Sequence, residues 1–190
     1  MNFQDTQLIG VLARAESTVS SLSSLLGGLV EKFAARGYSL YLVGGSVRDA
    51  LLGRLGNDLD FTTPARPEVV KEILDEWAET VWDTGIDFGT VSAAYKGQQI
   101  EITTFRSDSY DGQSRNPEVV YGDTLEGDLV RRDFKANAMA IELLADASFK
   151  FHDPLHGLQD IADRVLDTPD KPEISFHDDP LRICLLYTSD

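Results

Sequence analysis

"YLVGGSVRDALLGRLGNDLDF", Tyr41 to Phe61, runs from an apolar strand into a glycine pair, crosses a short helical pattern and ends on two aspartates. Gly44 and Gly45 stand between a strand and a helix, where backbone N–H groups can point at an anion beside the helix N-terminus. The pair has neither the G-x-G-x-x-G spacing of dinucleotide sites nor the G-K-[ST] ending of a Walker loop. By itself such a pair at a strand end is usually just a tight turn. Asp58 and Asp60, two apart on a strand, project from one face. Two carboxylates about 4 Å apart repel by about 4 kcal/mol at an effective dielectric of 20. A fold keeps such a pair if a cation or a shared proton compensates, or if both reach water. One ligand asks for both features. A nucleoside triphosphate needs donors for its phosphates and a cation between those phosphates and the protein.

The flanking sequence sets these pieces in an α+β pattern. Residues 6–36 lack proline and place Leu22, Leu25, Leu26, Leu29, Val30 and Phe33 at helical spacing, with Gly37 as the stop. "SLYLV" is a strand, and "SVRDALLG" a helix with Ser46 as N-cap and Gly53 as its end. "DLDFTT" is a strand ended by Pro64, and "RPEVVKEILDEWAET" an amphipathic helix with proline near its start. "FGTVSAAYKGQQIEITTF" reads as a hairpin turning at Lys96-Gly97. Its second strand puts Ile100 and Ile102 on one side and Gln99, Glu101 and Thr103 on the other. "SDSYDGQSRNPEVVYGDT" (107–124) is rich in turn residues and is expected to be a mobile loop. "LEGDLVRRDFKANAMAIEL" returns to helix and strand, and "HDPLHGLQDIADRVLDT" to a strand end, a turn and a helix. The expectation is a mixed or antiparallel sheet of about five strands with helices on one face.

Composition narrows the function classes. The 190 residues suffice for one sizeable core. The single cysteine, Cys184, excludes an internal disulfide framework and suits a reducing cytoplasm. No apolar run approaches the roughly 20 residues of a membrane span, and no signal peptide opens the chain. A net charge of -15 argues against a general nucleic-acid binder, because phosphate backbones are held by Lys and Arg. Cations do collect locally in "RSDSYDGQSR" and "LVRRDFK". His152, His156 and His177 are not at metal-ligand spacing, although "HDP" and "HDDP" bear a superficial likeness to metal-dependent phosphohydrolases. Glu101, on the polar face of its strand, can join Asp58 and Asp60 as a third carboxylate. Such oxygen donors suit Mg²⁺ completed by water and substrate phosphates.

"LVGGSVRDALLG", "NDLDFTT", "IEITTFR", "LVRRDFKANAMAIEL", "DPLHGLQDI" and "FHDDPLR" occur in one order over residues 40–182. In that order they resemble class II tRNA nucleotidyltransferases, the CCA-adding enzymes, and bacterial poly(A) polymerase is similar over the same segments. The resemblance implies a polymerase-beta-like nucleotidyltransferase head at 38–155. Before it stands a helical segment at 1–37, and after it the start of a helical neck at 156–190. It implies that Gly44, Gly45, Ser46 and Arg48 hold a triphosphate, with Asp49 bracing the turn. Asp58 and Asp60 would bind Mg²⁺, and Glu101 would help deprotonate the attacking 3′-hydroxyl. Arg131, Arg132, Asp133 and Asn137 would contact phosphates and ribose. Asp179 and Arg182, with Asp178 ahead of them, match the segment that reads the Watson–Crick edges of CTP and ATP. The implied activity is transfer of CMP and AMP to a tRNA 3′ end, with the tRNA gripped mainly by domains outside these residues, in the cytoplasm and without a membrane. A poly(A) polymerase or a CC- or A-adding variant is the neighbouring alternative, and an idle nucleotide-binding module the non-enzymatic one.

Several residues also have plainer readings. Arg132 with Asp133 can be an ordinary surface ion pair, and Asp178 with Asp179 a helix cap. Lys135 and Ala136 stand where the family has Thr and a β-branched residue. Leu185 stands where the family carries a second arginine, and the tail from about Cys184 reads as foreign or truncated sequence. A helix this close to the end is expected to hold Asp179 and Arg182 loosely.

Overall fold

The computed structural model describes residues 3–107 and 120–185. Most of the expected loop at 107–124, and the tail beyond 185, lie outside the described residues. Two helices open the chain, α1 (Phe3–Leu25) and α2 (Leu29–Ala35). The sequence pattern reads as one helical run, but Gly28 adopts φ +87 and breaks it. The Trp77 ring lies against that break, with its indole N–H donating to the Gly27 carbonyl oxygen at 3.3 Å. Lys32 and Arg36 then reach across to Glu76, at 2.8 and 2.7 Å.

Strand β1 (Leu40–Val43) leads into α3 (Gly44–Leu51), then β2 (Asp58–Thr63) and α4 (Pro67–Asp75). Gly53 closes α3 with φ +71, its N–H donating to Ala50 and that of Arg54 to Asp49. Strands β3 (Thr80–Trp82), β4 (Thr90–Tyr95) and β5 (Gln98–Thr104) follow. Lys96 and Gly97, both at positive φ, make the tight hairpin between β4 and β5. A small ribbon, β6 (Arg106–Ser107) with β7 (Val120–Tyr121), precedes α5 (Leu125–Val130), whose first turn is capped by Thr124. A 3₁₀ turn at Lys135–Asn137 leads to β8 (Ala140–Leu143) and β9 (Phe149–His152). The described chain ends in α6 (Gly157–Asp163), α7 (Pro172–Asp178) and α8 (Leu181–Leu185).

The sheet is mixed, in the order β3-β4-β5-β2-β1-β8-β9. Only β2 and β5 run parallel within it. Among the described residues it has seven strands rather than about five; the additional two, β3 and β9, are short edge strands. Neither offers a long alternating pattern, so a period-2 reading passes over them.

One face of the sheet carries the main core. Leu40, Leu42, Leu59, Phe61, Ile100, Ile102 and Ile141 meet Val19, Leu26 and Phe33 of the N-terminal helices and Val70, Ile73 and Leu74 of α4. Helix α5 departs from the one-face expectation. Its Leu125 and Leu129 cover Val43 and Ala140, which point to the opposite face. Helix α6 packs on the 3₁₀ turn because Gly157 has no side chain: a Cβ there would stand 2.1 Å from the Lys135 carbonyl oxygen. The Asp153 carboxylate caps α6, accepting from Gly157 N at 2.7 Å and Leu158 N at 3.0 Å. No helix among the described residues is long and apolar enough to cross a membrane.

Candidate active site

The face left open by the helices carries the polar residues. In the parallel pair, Asp60 stands in register with Glu101 and Asp58 with Gln99. Leu59, Ile100 and Ile102 alternate with them into the core. The spacing that makes one face apolar therefore delivers Asp58, Asp60 and Glu101 together on the other.

Ser46 sets the glycine turn against these aspartates. The structure corrects its expected place: α3 begins at Gly44, ahead of Ser46, with Val43 in the cap position. Ser46 is buried; its hydroxyl accepts from the Asp60 N–H at 3.0 Å and donates to the Asp58 carbonyl oxygen at 3.3 Å. A side chain taken for a cap instead pins the first turn of α3 to the strand between the two aspartates. Gly44 has φ +66, and a Cβ on it would come within 3.0 Å of Arg132 Nη1. A guanidinium thus lies against the glycine turn, which any side chain larger than hydrogen would crowd.

Arg48, Asp49, Asp133 and Asn137 form one hydrogen-bonded chain. Asp49 Oδ1 accepts from Arg48 Nε at 3.0 Å and from Arg54 Nε at 3.2 Å. Arg48 Nη1 donates to Asn137 Oδ1 at 2.9 Å, and Asn137 Nδ2 donates to Asp133 Oδ1 at 3.0 Å. Segments 89 residues apart in sequence are locked together here.

Beside the carboxylates is a cavity of about 240 Å³, lined by Asp60, Glu101, Thr103, Arg106, Arg131 and Arg132 among others. Three arginines gather here in a chain of net charge -15, so the cavity departs from the acidic surface around it. Arg132 Nη2 pairs with the buried Asp128 at 3.0 Å, and Asp128 Oδ1 accepts from the Arg106 N–H at 3.2 Å. The Nε atoms of Arg106 and Arg132 are buried and have no partner among the described residues. Burial, with Arg131 next in order, pushes the Arg106 pKa down, Asp128 opposing and Arg132 adding. On the other wall, loss of hydration raises the Asp60 pKa above 3.8, Glu101 and Asp58 adding and Arg132 opposing. Crowded cations beside crowded carboxylates are a charge pattern relieved by an anion and a cation bound together.

Asp128 and Arg106 were not singled out from the sequence. Their signals were there: Asp128 lies four residues before Arg132 on a helix, and Arg106 ends "IEITTFR". Asp179 accepts from Leu181 N at 3.0 Å and so caps α8. Arg182, expected to be loosely placed, donates to Ser175 Oγ and to the Arg131 carbonyl oxygen. Among the described residues no three His, Cys, Asp or Glu side chains form a closed metal cage. Asp58 and Asp60 still offer oxygen donors of the kind Mg²⁺ uses alongside water and substrate phosphates.

A family model described as the poly A polymerase head domain matches residues 40–167. The CCA-adding enzyme of Listeria innocua is 41% identical over 156 residues, covering 82% of this chain and 38% of that protein. That of Lactobacillus helveticus is 43% identical over 148 residues, 77% of this chain and 35% of that protein. Among solved structures, the Bacillus stearothermophilus CCA-adding enzyme in complex with CTP matches with a TM-score of 0.70 at 36% identity. The match covers 85% of this chain and 37% of that one. The fold is that of a nucleotidyltransferase head. Within that class, the chain belongs to the poly(A) polymerase head-domain family, and the relatives named above are CCA-adding enzymes. It spans less than two fifths of the length of these relatives.

Proposed function

We propose that this chain is the catalytic head of an RNA nucleotidyltransferase that adds CMP and AMP, taken from CTP and ATP, to the 3′ end of tRNA in the cytoplasm. The observation that carries the reading is the register of Asp60 with Glu101, beside a glycine turn that Ser46 pins to Asp58 and Asp60. In the reaction, the 3′-oxygen of the RNA bonds to the α-phosphorus of the incoming nucleotide. The α–β phosphoanhydride breaks, and pyrophosphate leaves.

The residues divide the work by their chemistry. The α3 N-terminus and Arg132 receive phosphate oxygens, with Arg48 held in orientation by Asp49 and Asn137. Arg131 adds charge on the cavity wall. Glu101, in register with Asp60 at the cavity wall, takes the proton of the attacking hydroxyl, directly or through water. Asp58 and Asp60 would hold Mg²⁺, which supplies neutralisation of phosphate charge and acidifies the hydroxyl. Asp133 and Asn137 fix one another at the ribose side. Base reading by Asp179 and Arg182 requires Arg182 to exchange its protein partners for the base, because its Nη atoms donate to Ser175 and the Arg131 carbonyl.

The description of the matching family model favours one second reading, poly(A) addition. The full-length protein, incubated with tRNA lacking its 3′ end and each labelled nucleotide, separates the two. Incorporation that stops after CMP, CMP and AMP supports CCA addition. An open-ended AMP ladder supports poly(A) synthesis, and no incorporation by any nucleotide supports an idle module.

A further inference from the structure

Four residues form a row across the open face of the sheet. Trp82 on β3 pairs with Ser92 on β4, Ser92 with Glu101 on β5, and Glu101 with Asp60 on β2. Their side chains share one face, since Val81, Val91, Ala93, Ile100 and Phe61 between them turn into the core. With neighbouring strands about 4.8 Å apart, Trp82 stands about 10 Å from Glu101, within reach of one or two nucleotides.

The indole is 43% exposed and makes no hydrogen bond or ring contact among the described residues. The other tryptophan differs: Trp77 lies 3.9 Å from the Tyr95 ring and donates to the Gly27 carbonyl. Between Trp82 and Glu101, β4 turns Thr90, Ser92 and Ala94 toward this face, all small and uncharged. Thr90 and Thr103 share a hydroxyl hydrogen bond at 2.9 Å, which settles their polar groups. The strip itself carries no charge, while Asp83 and Asp87 stand exposed in the turn beside it. Phe88, 64% exposed in the turn joining β3 to β4, adds a second uncovered ring at the same edge.

We propose that Trp82 is the stacking platform for the unpaired 3′-terminal bases of the RNA to be extended, aligning the strand so that its last hydroxyl falls at Glu101. Stacking on an aromatic face tolerates any base and needs no cation, which suits a strand that lengthens by one nucleotide per turn. The proposal rests on the nucleotidyltransferase reading above, and its test separates the two.

In the full-length protein, Trp77→Phe leaves Trp82 as the one indole of the described residues. The probe is an unpaired RNA oligonucleotide with a free 3′-hydroxyl, added without nucleotide. Trp82 emission is expected to be quenched by the RNA and left unchanged by CTP alone. Trp82→Ala is expected to raise KM for the RNA about tenfold, leaving KM for CTP and kcat unchanged. Trp82→Phe should keep most of the affinity. Absent quenching with an unchanged RNA KM overturns the platform, and so does an equal loss toward RNA and CTP. A dimer abolished by Trp82→Ala, with RNA affinity untouched, overturns it in favour of an edge-strand contact between copies. Quenching without any nucleotide incorporation leaves the platform standing and removes the transferase reading. Incorporation without quenching does the reverse.

Discussion

Arg182 Nη2 donates to the carbonyl oxygen of Arg131 at 3.0 Å, across 51 residues of sequence. Its Nη1 donates to Ser175 Oγ at 2.7 Å, and Nε lies 3.8 Å from Asp179. Helices α7 and α8, of seven and five residues, are too short to be stable alone in water. One guanidinium ties both to the cavity wall. Arg182→Ala should therefore accelerate amide hydrogen exchange across residues 172–185 and leave β1 and β2 protected as before. Arg182→Lys should not restore the protection, because an ammonium cannot present two donors from a planar fork. Unchanged exchange in the alanine variant would mean that apolar packing alone holds the segment.

Gly44 is the second point of leverage. An L-residue forced to φ +66 costs roughly 1–2 kcal/mol, and the added Cβ would press on Arg132 Nη1. Gly44→Ala should lower the denaturation midpoint and weaken binding of a nucleoside triphosphate. Gly45→Ala should be milder, since its φ is not positive and its nearest neighbour, Arg48 Nη2, stands 3.4 Å away at the end of a flexible side chain. Equal stability and equal nucleotide affinity in Gly44→Ala would exclude the turn from phosphate binding.

Much of this was legible in the sequence because it follows from period and spacing. Asp58-x-Asp60 alternates against Leu59 and Phe61, and Glu101 against Ile100 and Ile102, so the shared polar face could be read before any fold was known. What could not be read was the pairing of β2 with β5, which turns two separate faces into one site. Ser46 shows a second limit: serine ahead of a helical pattern suggests a cap, and only the tertiary contact with β2 shows that its hydroxyl is already used. The edge strand β3 escaped for want of length, and of β9 only the strand end at His152 was legible. Arg182 is expected to be loose because its own helix is short; its partners, Ser175 of α7 and the Arg131 carbonyl, lie on a neighbouring helix and a distant backbone that no local pattern announces.

Asn137 offers a test of the hydrogen-bonded chain through Arg48. Its side-chain oxygen accepts from Arg48 and its amide nitrogen donates to Asp133, so neither atom can be exchanged for the other. Asn137→Ala should raise KM for the nucleotide several-fold by freeing Arg48, with a smaller change in kcat. Asn137→Asp should be worse than alanine, because it sets a second carboxylate against Asp133. An aspartate variant as active as the native protein would show that the chain does not orient Arg48.

Asp60 carries a conflict between stability and activity that pH exposes. Its carboxyl lies above the ordinary 3.8 through lost hydration first, then Glu101, against relief from Arg132. Because the folded value is the higher one, ionised Asp60 works against the fold at neutral pH. That penalty shrinks as pH falls through the raised value and is gone below 3.8, where the group is protonated folded and unfolded alike. Asp60→Asn keeps the shape and removes the charge, so it should melt at a higher temperature than the native protein near pH 7. The gap should close toward pH 4. Added Mg²⁺ or Mn²⁺ with nucleotide should stabilise the native protein more than the variant, by binding to the folded state alone. The same variant should lose nucleotide transfer by orders of magnitude in the full-length protein. A lower melting temperature for Asp60→Asn at pH 7 would show that the pairing with Arg132 outweighs the repulsion. An equal stabilisation of both by metal and nucleotide would remove Asp60 from the metal site.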